Sequence, residues 1–229
     1  MKKQEYELVR QHTAAILGSD NSGHSMDHVD RVLKMAERFM KQYPEADRDV
    51  VRLTALLHDV DDYKINNGDE VNLPNAHHIL NMLPLENSQK EKVISAIRSI
   101  GYSKRLKGIV PQSIEAKIVS DADMCDASGA SGIIRAQQYA SKFNAPFFDR
   151  QVWPMEEIDL KFYRSAQTTT VNHLFEKILR LKDLMLTEPG RQEGLKRHRT
   201  VIAFLKKFFR EQNCGDWLAY LNEFEKRHA

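Results

Sequence analysis

Four side chains in this sequence have the chemistry to share one divalent cation: His28, the adjacent pair His58-Asp59, and Asp123. Neutral imidazole nitrogens and carboxylate oxygens are the donors such ions accept, provided packed elements bring them to one point. The doublet follows the apolar run Leu53-Thr54-Ala55-Leu56-Leu57, which draws it towards the core. A carboxylate buried there without a compensating charge is costly, so Asp59 asks for a cation. Each residue also has an ordinary use. A His at a helix C-terminus complements the helix dipole while a neighbouring Asp faces water, and Asp123 can accept a nearby backbone N–H. Taken one at a time, residue type and position leave both uses open.

The elements that must hold these groups read as helices. Apolar residues recur at three and four positions, and no sustained run alternates as a half-buried strand would. A first helix is expected over about 4–17, ending at Gly18 before the breaker-rich stretch 19–23. The next begins near Ser25 or Met26 and carries one stripe, Val29, Val32, Leu33, Ala36, Phe39, Met40 and Tyr43, with His28 at its edge and Pro44 closing it. A third, about 46–59, is apolar almost all round, hence central, and ends on the doublet. Further helices are expected at about 72–83, 88–100, 113–125 and 127–143, followed by two long ones at 156–186 and 189–212 and a short last one at 215–227. The fold class is therefore all-α, as one domain over 1–229 in which 156–229 forms a C-terminal helical extension.

The order of the four residues resembles that of the HD-domain metal-dependent phosphohydrolases: a His on one helix, a His-Asp doublet at the end of the next, and a distant Asp on a later one. Here these are His28, Leu56-Leu57-His58-Asp59-Val60, and Asp121-Ala122-Asp123-Met124-Cys125-Asp126-Ala127. The stretches 56–64 and 117–123, with the tail motifs His173–Lys177 and Leu181–Met185, are similar to a bacterial subgroup of small HD hydrolases, a likeness covering most of residues 20–210. That subgroup includes nucleoside triphosphate pyrophosphohydrolases, so the resemblance implies an HD helical bundle, a small-molecule nucleotide substrate, and His28, His58, Asp59 and Asp123 as the ligands of one metal ion. Mn2+ is the expected ion, with Mg2+, Fe2+, Co2+, Ni2+ and Zn2+ as alternatives, since this donor set accepts the divalent series and availability decides. Asp121 is then a supporting or surface carboxylate. His24, four residues before His28, is peripheral.

Phosphate hydrolysis further needs a group to take a proton from water and cations for the developing charge. Asp62 and Lys64, just past the doublet, could orient the water and bind phosphate respectively, against the plainer reading of a polar loop after a helix. Arg98 and Arg135, each flanked by apolar residues, are the preferred substrate-binding cations, ahead of Lys104, Arg105 and Arg31. His77-His78 has no continuation of the kind that binds a second metal in the cyclic-dinucleotide branch, so one ion is expected. The segment 97–102 lacks a His that the subgroup often has, which bears on specificity. Two other functions compete: a cyclic-nucleotide or alarmone phosphodiesterase, and an idle nucleotide-sensing module.

Composition narrows the rest. A formal charge of +2, 41% hydrophobic and 29% charged residues describe an ordinary globular protein with no excess basic charge for nucleic acid. Cys125 and Cys214 form no CxxC pair and are expected to be reduced and buried. No run approaches the roughly 20 apolar residues of a membrane helix. A cytoplasmic monomer or homodimer, with neither nucleic acid nor membrane as partner, is the expectation.

Overall fold

The structure, a computed structural model, describes residues 1–18, 25–62, 68–156 and 168–228. Among them there are helices and no strands. Two compact units divide the chain, residues 1–123 and 124–229.

The first unit contains α1 (Lys3–Leu17), α2 (Met26–Met40), α3 (Arg48–Leu57), α4 (Pro74–Asn81), α5 (Asn87–Ser99), the short α6 (Tyr102–Leu106) and most of α7 (Ile114–Asp126). α3 is its centre. Seven of its ten residues, from Val50 to Leu57, are buried, and it packs against α1, α2 and α5. Its start is fastened by Asp47, whose side chain accepts the N–H groups of Asp49 (2.9 Å) and Val50 (3.2 Å) that the helix itself cannot satisfy. Gln89 donates to the same carboxylate at 3.2 Å, and the Asp47 N–H donates to Glu115 of α7 at 3.0 Å. One residue thus ties α3 to α5 and α7. α2 buries the expected stripe from Val29 to Met40 together with His28, while Tyr43 lies beyond its end and is half-buried, and Arg10 of α1 reaches Asp30 of α2 through two guanidinium nitrogens.

The second unit holds α8 (Gly129–Ser141), α9 (Thr170–Glu176), a 3-10 helix η1 (Ile178–Leu184), α10 (Glu188–Glu211) and α11 (Gly215–Arg227). Its core is aromatic. Trp217 is fully buried among Phe148, Phe175 and Phe209, and Trp153 stacks on it at 4.4 Å between centroids. Arg197 of α10 donates to Cys125 O at 2.8 Å and Ser128 O at 3.4 Å, closing the carbonyl end of α7. The chain then turns at Gly129, whose φ of +69° and the Arg197 stem 3.1 Å from where a Cβ would sit both require glycine.

The expected helices from 4–17 to 127–143 appear with ends shifted by a few residues, and α6 is an addition within the 101–111 connection. The long helix expected over 156–186 is a correction. Its part over 157–167 lies outside the described residues. The remainder begins afresh at α9, where Thr169 caps Asn172 N at 3.0 Å, and then tightens into η1. The run Thr168-Thr169-Thr170-Val171 is β-branched throughout, and its hydroxyls favour a helix start over a helix interior. α3 also stops two residues sooner than expected, so His58 is its C-cap and Asp59 stands on the turn beyond.

Candidate metal centre

His28 comes from the first turn of α2, where the stripe faces inwards, and its side chain is 1% exposed. His58 ends α3, and its Nδ1–H donates to Ala55 O at 2.9 Å. That bond leaves the Nε2 lone pair directed at the cluster, the tautomer a metal ligand needs, with the ring held by a backbone carbonyl. Asp59 follows on the turn and is 8% exposed. Asp123 sits near the end of α7, half-buried.

The four side chains converge. His28 Nε2 lies 3.2 Å from His58 Nε2, 3.3 Å from Asp59 Oδ2 and 3.5 Å from Asp123 Oδ1. His58 Nε2 lies 3.4 Å from Asp59 Oδ2 and 3.9 Å from Asp123 Oδ1. Donors about 2.1 Å from a shared ion stand roughly 3.0–3.4 Å apart at right-angled or tetrahedral geometry. Most of these separations fall in or near that range. The ligand atoms of His28, His58 and Asp59 all lie within 4.8 Å of one another. Two carboxylates facing two imidazoles in a largely buried place form a donor set suited to a divalent cation, and each element delivers its ligand from a packed end.

The residues expected around the cluster fare differently. Asp62 is half-buried, and its N–H donates to Asp59 O at 3.1 Å, which holds it on the same turn. Lys64 and His24 lie outside the described residues. Arg98 is exposed on α5, 3.4 Å from Val71 O. Arg135 of α8 pairs with the fully buried Asp126 at 2.9 Å, so its charge already has a partner. Lys104 approaches Glu70 at 3.7 Å. His77 and His78 are exposed on α4, as expected of surface residues.

Two carboxylates beside the ligands have places that the local sequence shows only in part. Asp121, expected as a supporting or surface carboxylate, is completely buried. Burial draws the pKa of Arg105 down while the charge of Asp121 pushes it back up, so the two act on each other inside the first unit. Asp61 is also buried, and its two carboxylate oxygens accept the N–H groups of Asn75 (3.0 Å) and Ala76 (2.9 Å) at the start of α4. The available signal is the pair Leu73-Pro74: a helix opening on them has no side-chain cap of its own, so its free N–H groups need an acceptor from elsewhere.

Comparison with known proteins agrees with this geometry. The HD domain family model matches residues 26–128, which include all four converging residues. The uncharacterized protein YpgQ of Bacillus subtilis is 30% identical over 203 residues, covering 88% of this chain and 90% of that protein. A crystal structure of a protein from Lactobacillus plantarum superposes with a TM-score of 0.81 and 27% identity, over 93% of this chain and 98% of that one. An HD-superfamily hydrolase from Bacillus thuringiensis does so with a TM-score of 0.71 and 32% identity, over 93% and 99%. YpgQ has itself been crystallised in complex with ADP; that structure gives a TM-score of 0.67 at 24% identity in the superposition, over 89% and 97%. With its doublet, its ordered histidine and aspartates and relatives matched over nearly their whole length, the chain belongs to the HD-domain phosphohydrolase superfamily.

Proposed function

We propose that this protein is a nucleotide phosphohydrolase that uses one divalent ion, Mn2+ by first preference, held by His28, His58, Asp59 and Asp123, and that it releases pyrophosphate from nucleoside triphosphates. The observation that carries the metal reading is the approach of four donor atoms from four chain positions to within 3.2–3.9 Å of an imidazole nitrogen. The nucleotide reading draws on YpgQ, a relative over most of the chain, having been crystallised with ADP. An ion bound there supplies Lewis acidity to a phosphoryl oxygen and acidifies water near neutral pH.

The protein's own groups do the rest. His58, its Nδ1–H committed to Ala55 O, presents a lone pair without rotating. Asp62, three residues after Asp59 and with its N–H donating to Asp59 O, is the group proposed to orient the attacking water and take its proton. Lys64 and Arg98 are the proposed phosphate cations; the charge of Arg135 is already paired with Asp126. The phosphodiesterase alternative generally asks for a second metal, and the exposed positions of His77 and His78 give it no support.

Release of phosphate and pyrophosphate from a panel of nucleoside mono-, di- and triphosphates with Mn2+, comparing the native chain with Asp59→Ala, tests the proposal. Pyrophosphate from triphosphates, lost in the variant, is the expected result. Turnover of cyclic or alarmone substrates alone would replace it with the phosphodiesterase reading, and nucleotide binding without any turnover with the sensing one.

A further inference from the structure

The turn that carries Asp59 is fastened to α4 from both sides. α4 opens in an unusual way: its N-cap is Leu73, buried and in the left-handed region at φ 51°, with no side-chain oxygen, and its first residue, Pro74, has no N–H. The next two N–H groups, of Asn75 and Ala76, are met by the two oxygens of Asp61, which is 2% exposed and 14 and 15 positions away. In the other direction, the Asn75 side chain donates through Nδ2 to Val60 O at 3.0 Å. The Val60–Asp61 peptide is therefore held at its carbonyl and at the side chain that follows, by one helix end. Asp59 is the preceding residue, and its own carbonyl is engaged by Asp62 N. A carboxylate at a helix N-terminus is further favoured by the dipole, so this cap is a strong one.

Resting on the metal reading above, we infer that Asp61 and Asn75 are positioning residues for the metal centre: α4 acts as the brace that holds the Asp59 carboxylate at the distance from His28 and His58 that an ion requires. The bonds that assign them this role run between the turn and the start of α4. Their effect is on the conformational freedom of the turn, and partners that orient ligands in this way are typically worth roughly 10–100-fold in metal affinity.

Calorimetric titration of Mn2+ into the full chain tests this with four variants. Asp61→Ala is expected to weaken binding roughly 10–100-fold. Asp61→Asn, which keeps one acceptor oxygen, should fall between it and the native chain, and Asn75→Ala, which loses only the bond to Val60 O, should weaken binding less. Thr187→Ala removes the cap that accepts Gly190 N at 3.1 Å at the start of α10 in the other unit, and is expected to lose thermal stability while binding Mn2+ as the native chain does. Native affinity in folded Asp61→Ala and Asn75→Ala overturns the inference, as does an equal loss in Thr187→Ala. Should Asp61→Ala fail to fold, Asn75→Ala decides, since it leaves both Asp61 bonds in place. A native chain that binds no ion removes the metal reading itself, a result distinct from unaffected variants of a chain that binds.

Discussion

The two units of this protein are built on opposite terms. Residues 1–123 bury charge: His28, Asp59, Asp61 and Asp121 are each at most 8% exposed, and the four converging donors come from α2, the end of α3 with the turn beyond it, and α7. Residues 124–229 centre on rings instead, with Phe148, Phe175, Phe209, Phe224 and Trp217 packed around one another, and their buried carboxylates are met one by one, Asp126 by Arg135 and Glu176 by the Met155 N–H. Aromatic burial is stabilising by itself. Convergent carboxylates are not; they destabilise the unit until a cation joins them. On the proposed metal reading the first unit gives up stability for a site, whereas the buried carboxylates of the second are met by the protein's own donors.

This contrast can be broken most forcefully at Asp59. The account predicts that Asp59→Ala lowers Mn2+-dependent turnover by roughly 10³-fold, the equivalent of the several kcal/mol an ion contributes to a phosphoryl transition state. In chelator-treated protein the same substitution should leave the thermal midpoint unchanged or raise it, because it deletes one of two facing carboxylates. A large loss of stability without metal would show that Asp59 is a structural group.

Trp217 is the counterpart in the other unit. Trp217→Ala empties the centre of the aromatic core and should cost about 3–5 kcal/mol in urea unfolding of that unit, with Mn2+ affinity unchanged. Arg197→Ala leaves the carbonyls of Cys125 and Ser128 without their guanidinium and should cost about 1.5–3 kcal/mol. Its effect is expected in the unfolding midpoint of the second unit.

The smallest effect belongs to Asp47, whose removal as the N-cap of α3 should cost about 1 kcal/mol. Burial raises its pKa, but the bonds from Gln89, Val50 and Asp49 outweigh this and hold it below its usual 3.8. A carboxyl whose pKa is lowered by folding stabilises the folded state above its unfolded value and loses that contribution as pH falls through the folded one. The stability gap between native and Asp47→Asn should thus stay constant near neutral pH and close below about pH 3.8, as acid unfolding curves will report.

The same contrast explains what the sequence discloses. The all-α class, the central position of α3 and the place of the doublet are legible because an apolar helix followed directly by His-Asp draws the pair towards the core. His28 is legible from its place on a stripe. Asp61 is harder, because its partners Asn75 and Ala76 are 14 and 15 positions away and the need for it arises only from α4 starting on Leu73-Pro74. Asp121 depends on an interaction with Arg105 from another helix, which no local pattern displays. In the second unit, helical periodicity suggests a continuous helix through 156–186, yet the Thr169 hydroxyl caps a new one, a local hydrogen bond that periodicity does not weigh.

The central claim is that four side chains of the first unit hold a single ion. Metal content per chain, measured after equilibration with Mn2+ and removal of the excess, tests it most directly. The account predicts one ion per native chain and none retained in His58→Ala or Asp59→Ala, with both variants folded. A native chain without metal, or variants that keep it, would contradict the claim.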